Sequence, residues 1–288
     1  MLTKSKQVKE VIPSTREDTN LFSLSETTKT ISEIKPNLII NAAAKVGGIV
    51  ANNTYRTEFI LENLKININI LESIIKFPDI KLINLGSSCI YPLSASVPIN
   101  EDSLMSGKLE PTNSPYAMAK IAAIEMGKAI KQQYGHEILN LMPTNLYGPF
   151  DNFHPENSHV IPGMMQKFYH ATKQNNENIA IWGSGKPLRE FLYVEDLADA
   201  VEFLIDKKWD EQLLNIGSGE EISIKELAEL MKNITGFSGE ILFDNSKPDG
   251  NPRKLLDVDK INKMGWKSST DLKSGLKKTY DWYLKNII

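Results

Sequence analysis

The chain has 288 residues, a formal net charge of −3, 41% hydrophobic residues and 24% charged ones. That length and balance fit one large or two closely joined soluble domains with ample core, and exclude wholesale disorder. No apolar run reaches the ~20 residues that span a bilayer, near-neutrality supplies no global field for nucleic acid, and one cysteine, Cys89, excludes an internal disulfide or a multi-cysteine zinc site. The opening MLTKSKQVKEVIPST carries charge without an apolar stretch. The expectation is therefore a reduced, cytoplasmic protein without a secretory signal, a membrane span, a bound metal or a nucleic-acid partner.

In chain order, a short strand is predicted at Glu10–Ser14, then a strand at Leu38–Ala43, a helix over 54–77 and a strand at Lys81–Leu85. A helix over 114–134 follows, with Ser114 as N-cap and Pro115 in its first turn, and then a strand at Ile138–Pro143. Further on come a helix over 158–174, a strand at Ile179–Trp182, a helix over 194–206 and a strand at Leu213–Ile216. The last are a helix over 223–235, capped by Ser223 and closed by Gly236, a strand at Glu240–Phe243 and a helix over 271–286. Alternation of short apolar runs with helical stretches predicts an α/β fold with a doubly wound, Rossmann-like parallel sheet. The final hundred residues, with shorter strands and the basic stretch SKPDGNPRKLLD, read as a smaller α/β lobe. Residues 1–155 are expected to form the dinucleotide domain, rejoined by about 190–217, and residues 156–288 mainly the lobe.

A dinucleotide fold normally opens with a strand, a glycine-rich turn and a helix that receives the pyrophosphate. Nothing of that kind precedes Glu10, and Gly47-Gly48 follows a different strand with the wrong spacing. The sheet is thus expected to lack its first β-turn-α unit, with Met1 reading as a residue late in that unit's helix.

Tyr116 and Lys120, four apart, share one helix face. An ammonium near a phenol favours the phenolate and makes tyrosine a usable proton donor to a reduced carbonyl; alone, the pair reads equally as a half-buried tyrosine beside a surface lysine. Roughly thirty residues earlier, Leu85-Gly86-Ser87-Ser88-Cys89 closes a strand. A serine at such an edge can hydrogen-bond the same carbonyl oxygen, because open α/β sheets bind ligands there; simple turn chemistry is the alternative. The ordered set of serines, tyrosine and lysine is far more specific than any member.

With these residues in hand, the sequence resembles the extended short-chain dehydrogenase/reductase superfamily, and within it the epimerase/reductases that act on GDP-4-keto-6-deoxy-D-mannose. The phrases that carry the likeness are NAAAKVGGIVANNTY, LGSSCIYP, LEPTNSPYAMAK, MPTNLYGPFDNFHPENSHVIP, WGSGKPLREFLYVED and SKPDGNPRKLLDV, spread from near Val11 to the C-terminus. The resemblance implies NADPH-dependent 3,5-epimerisation followed by 4-reduction to GDP-L-fucose, in a homodimer. It assigns proton transfer at carbons 3 and 5 to Cys89 and His159, with His154 the nearest competitor. Tyr116, Lys120 and Ser87 take the reduction. Leu85, Gly86, Ser87, Ser88, Lys120, Pro143, Thr144, Asn145, Leu146 and His159 match positions beside the cofactor, and Arg16 a position near its 2′-phosphate. Lys167, Trp182, Arg189, Asp249 and Lys254 match contacts to the GDP-sugar, with lysine at 167 where the family commonly has arginine. Apart from the resemblance, each of those charges reads as solvated surface, Trp182 as core, Arg16 as an exposed loop residue, Cys89 as a small buried hydrophobe and His159 as a cap.

Two rivals stand beside this reading. One is a related nucleotide-sugar dehydratase or UDP-sugar 4-epimerase, in which the Cys89 and His159 pair is generally absent. The other is a non-catalytic binder that holds nucleotide sugar without NADPH.

Overall fold

The computed structural model describes residues 2–155, 158–247 and 249–288; Met1, placed by sequence late in a helix, lies outside them. In chain order the elements are α1 (Leu24–Ile34), β1 (Leu38–Asn41), α2 (Ile49–Thr54), α3 (Arg56–Ile74), β2 (Lys81–Leu85), α4 (Ser114–Tyr134), β3 (Ile138–Pro143), β4 (Asn145–Tyr147), α5 (Val160–Lys173) and β5 (Asn178–Trp182). They continue with β6 (Leu188–Tyr193), α6 (Val194–Leu204), β7 (Leu213–Ile216), β8 (Glu221–Ser223), α7 (Ile224–Thr235), β9 (Glu240–Asp244), β10 (Arg253–Lys254), α8 (Asp259–Met264) and α9 (Leu272–Asn286). The chain divides into one unit of residues 1–95, 101–143 and 198–216, and another of residues 96–100, 144–197 and 217–288.

The first unit is a four-stranded parallel sheet in the order β1-β2-β3-β7. Strand β3 is buried along its whole length, as a strand covered on both faces must be. Helices α1, α3 and α4 pack side by side, and Ile31, Ile66, Ile70, Ile74, Leu82, Ala123 and Ile138 form the core beneath them. Glu10–Ser14 is not a strand. It is exposed throughout, Pro13 offers no N–H to a ladder, and among the described residues β1 pairs only with β2. The predicted 54–77 helix is α3, and the unpredicted α2 precedes it across a break at Tyr55 (φ −104°, ψ 43°). Helix α4 starts one residue earlier than its sequence suggests, with Asn113 rather than Ser114 at the N-cap.

The second unit carries a mixed sheet in which β6 pairs in parallel with β4 and β10 and antiparallel with β8, and a separate parallel pair, β5 with β9. Helices α5, α7 and α9 enclose its core around Phe168, Met165, Met231, Leu227 and Tyr283. The Ser223 cap forms with its reciprocal Glu226 partner, and Gly236 closes α7 in the left-handed region (φ 72°) as expected.

A row of asparagines crosses the first sheet. Asn41, Asn84 and Asn140 are register partners on three adjacent strands and are all almost fully buried. Asn41 Nδ2 donates to Asn84 Oδ1 (2.9 Å), Asn84 Nδ2 donates to Asn140 Oδ1 (3.1 Å), and Asn140 Nδ2 ends the row on Gln212 O (3.1 Å). At the other end Asn41 Oδ1 accepts from Ala43 N (3.1 Å). On α3, the Asn63 side chain clasps both backbone groups of Lys45. Replacing Asn84 by Ala strands a donor on one neighbour and an acceptor on the other, each costing ~1–3 kcal/mol when buried. Asn84→Ala should therefore lose about 2–4 kcal/mol in urea unfolding, and an unshifted midpoint would contradict the role given to the row.

Candidate active site

Two residues beyond Asn84, at Gly86, the chain leaves the sheet. Gly86 N donates to Leu141 O (2.8 Å), and a Cβ at Gly86 would lie 2.0 Å from Met142 Cε; only glycine permits so close an exit beside β3. A 3-10 turn over Ser88–Ile90 follows, with Ser87 Oγ accepting from Cys89 N (3.2 Å). That turn presents Cys89 to a cluster of Ala51, Phe59 and Tyr116. The Tyr116 ring stands edge-on to Phe59 (6.2 Å, 75°), and the Ser87 side chain hydrogen-bonds its hydroxyl.

Helix α4 brings in Lys120 one turn after Tyr116. Lys120 is 2% exposed, and Nζ donates to Leu85 O (2.8 Å) and lies 5.8 Å from the Tyr116 ring centroid. Burial pushes the Lys120 ammonium down to about 8. Burial also pushes the Tyr116 phenol up, seconded by Cys89, against the Ser87 hydrogen bond. The direction is opposite to the one the Tyr-Lys spacing suggests, because desolvation outweighs the ammonium's pull when that ammonium sits over the ring and is itself dried. Tyr116 accordingly holds its proton at neutral pH. Ser87, Cys89, Tyr116, Lys120 and the Leu85 carbonyl are thus brought together within one unit, with Ser88 buried behind them. Arg16 lies on an exposed turn whose Asp18 accepts from Thr15 N and Oγ1 (both 2.7 Å). Pro143 ends β3 opposite Ile216.

The other matched residues lie in the second unit. Thr144 Oγ1 and Asn145 Nδ2 both donate to Glu190 O (3.2 and 2.8 Å), and Leu146 pairs with Leu192. His159 is the N-cap of α5 but makes no side-chain capping bond. Asp151, which the sequence reading passed over, carries a charge that acts on His159: burial pushes its carboxyl up, while Asn152 N and His159 oppose the rise. His154 N donates to Asn152 Oδ1 (3.0 Å) in the same loop.

Trp182 ends β5 with 61% of its surface exposed and Lys247 Nζ 5.6 Å from its ring centroid. It is an open aromatic plate, and the reading of it as core is incorrect. Asp249 accepts from Ser184 N (2.6 Å) and Oγ (2.8 Å), bonds that hold its carboxyl below the usual range. Arg189 Nη2 reaches Asp249 O (3.4 Å), and burial draws its pKa down while Asp249 draws it up. Arg189 and Lys254 are register partners on β6 and β10, so two cations share one face. Lys167 donates to Ala180 O and is drawn down by burial against Asp244.

Comparison with known proteins places this arrangement. The model of the NAD dependent epimerase/dehydratase family matches residues 2–217. The chain belongs to that family. A probable GDP-L-fucose synthase 1 from Oryza sativa subsp. japonica is 54% identical over 88% of this chain and 77% of its own length. GDP-L-fucose synthase of Escherichia coli (strain K12) is 46% identical over 96% of this chain and 89% of its own. Among solved structures, a GDP-L-fucose synthetase from Naegleria fowleri bound to NADP superposes with a TM-score of 0.89 at 30% identity, covering 99% of this chain and 89% of that one. Among the described residues of this family member, no helix is long and apolar enough to cross a membrane.

The dried Lys120 also carries a stability consequence. Below pH 8 the ammonium is protonated in folded and unfolded chains alike, and folding bears its desolvation. Between about 8 and 10.5 only the unfolded chain holds the proton, so stability rises with pH across that window. Lys120→Met should stabilise the protein at pH 7 by about 1–3 kcal/mol, a gain that shrinks as pH climbs from 8 to 10. The lost Leu85 bond is pH-independent, so denaturant midpoints separated by a constant gap across that range would disprove the assignment.

Proposed function

We propose that the chain catalyses the NADPH-dependent 3,5-epimerisation and 4-reduction of GDP-4-keto-6-deoxy-D-mannose to GDP-L-fucose. The observation that carries this is the grouping of Ser87, Cys89, Tyr116 and Lys120 on one turn and one helix face, in a chain about half identical to GDP-L-fucose synthases. The Cys89 and His159 pair favours this reaction over a dehydratase or a UDP-sugar 4-epimerase.

The ketone at carbon 4 acidifies the hydrogens at carbons 3 and 5. Cys89 and His159 are assigned to remove those protons and return them from the opposite face, a thiol and an imidazole being suited to proton transfer near neutrality. Tyr116, protonated in its buried setting, gives its proton to the carbon-4 oxygen, and Ser87 steadies that oxygen by a hydrogen bond. NADPH supplies the hydride when bound. Lys120 fits a ribose: an ammonium has three donors, and among the described residues only Leu85 O accepts one of them. Pro143, Thr144, Asn145 and Leu146, with the 85–88 turn, line the same cofactor assignment, and Arg16 offers a cation suited to a 2′-phosphate.

Arg189 and Lys254, side by side in register, fit a diphosphate, with Lys167 a third cation, and Trp182 offers its exposed face to a guanine base. Asp249 acts through Arg189 and the Ser184 turn. We assign residues 1–155 with 190–217 mainly to cofactor binding and the remainder mainly to the GDP-sugar. Leu61 and Ile68 on α3 and Met118 on α4 are exposed apolar side chains that suit a homodimer through the helix pair. A single cysteine, Cys89, suits a reducing cytoplasm.

The direct test is loss of NADPH absorbance when the purified chain meets GDP-4-keto-6-deoxy-D-mannose; a folded protein that binds GDP-sugar but oxidises nothing would be a binder instead. Tyr116→Phe should slow reduction by ~10²–10⁴-fold while deuterium still enters carbons 3 and 5. Cys89→Ser should reverse that pattern, suppressing exchange while NADPH affinity stays within about twofold of the parent's, and equal losses in both variants would undo the division of labour.

A further inference from the structure

Strand β6 contains a buried carboxylate that the reaction does not use. Glu190 follows Arg189, has no exposed surface, and points to the opposite face of the strand from its neighbour. Its Oε1 accepts from Gly219 N (2.8 Å) and its Oε2 from Leu256 N (3.0 Å). Ser218 N adds a third backbone donor. A Cβ on Gly217 would lie 2.2 Å from Oε1, so the loop leaving β7 rests directly on the carboxylate. The backbone carbonyl of the same residue is the acceptor shared by Thr144 and Asn145.

We infer that Glu190 is the positioning residue of the nucleotide-sugar site, fixing the spacing of Arg189 and Lys254 for the diphosphate. The inference rests on the GDP-sugar reading above. Strand β10 is only two residues long, Arg253–Lys254, and so short a strand holds its register poorly. Leu256 N, two residues past Lys254, is pinned by Oε2, and the strand edge on the other side of β6 is pinned through the 217–219 loop that leads into β8. One side chain therefore ties two segments, the 217–219 loop and the stretch after β10, to the strand that bears Arg189. The Thr144 hydroxyl also hydrogen-bonds the carboxylate; because Oε1 and Oε2 each accept from a fixed backbone N–H, an amide must turn its NH2 against one of them.

Binding of GDP to the purified chain, measured by calorimetry beside NADPH binding and circular dichroism, tests this. Glu190→Gln should weaken GDP by at least tenfold and raise the KM for the keto-sugar by a similar factor. NADPH affinity and kcat at saturation should stay within about twofold. A role in folding alone would instead lower kcat through a smaller active fraction and leave KM and GDP affinity unmoved. Gly217→Ala pushes on Oε1 without removing it and should shift GDP affinity in the same direction. GDP affinity within twofold of the parent in whichever variant is folded overturns the inference, and so does a failure of both to fold. A parent chain that binds NADPH but no GDP overturns the nucleotide-sugar reading, and this inference with it.

Discussion

The asparagine row across β1, β2 and β3 is the constraint on which the first unit depends. A parallel sheet built from apolar residues alone can slip, because its side-chain period of two leaves even shifts nearly degenerate. Amides in register resist slipping: a two-residue move of β2 would take the Asn84 amide away from Asn41 Nδ2 and Asn140 Oδ1, both buried. The row also reaches beyond the sheet. Asn41 fixes Ala43, and α3 fixes Lys45 through Asn63. Both ends of the strands that feed the reactive turn are therefore set by hydrogen bonds, whose directionality defines positions more sharply than packing does. Ser87 stands three residues from Asn84, too near for error to accumulate.

The second unit uses a different device. Its central strand β6 is mixed in its pairing, and it is organised around the Glu190 carboxylate. A buried charge is expensive unless every acceptor site is filled, and here backbone donors fill them. The two units thus share a logic, in which a polar group satisfied in only one arrangement selects that arrangement. Aromatic rings of Phe153, Tyr169, Trp282 and Tyr283 pack against one another in the same unit.

The regular elements were legible where period and caps agreed. Lys81–Leu85, Ile138–Pro143, Leu213–Ile216 and the helix over 114–134 fall where apolar runs and the Ser114-Pro115 start place them. Helix α1 was missed although Ser23 and Glu26 stand at the capping spacing and Ser23 accepts from Glu26 N; the Ser and Thr of LSETTKTISEI read as loop composition. Strands β4, β8 and β10, of two or three residues, are too short for periodicity to register. In the site, residue types at fixed spacing gave Ser87, Tyr116 and Lys120, because helix and strand geometry turns spacing directly into proximity. Asp151, Glu190 and the asparagine row were invisible for the converse reason: lone Asp, Glu or Asn letters carry no sign of burial, and the partners of Glu190 and of the row lie far along the chain. Trp182 was misjudged apart from the family likeness, since tryptophan is usually core and nothing local marks a strand end as open.

Lys120 has a consequence for how the protein exchanges protons with its medium. An ammonium held near 8 by drying alone is half deprotonated at mildly alkaline pH. Any ligand that brings oxygens to its open donors restores the charged form, so association there draws a proton from the buffer. The measured enthalpy of such binding then contains the buffer's own heat of ionisation, larger in an amine buffer than in phosphate, and the affinity weakens as the medium becomes more alkaline.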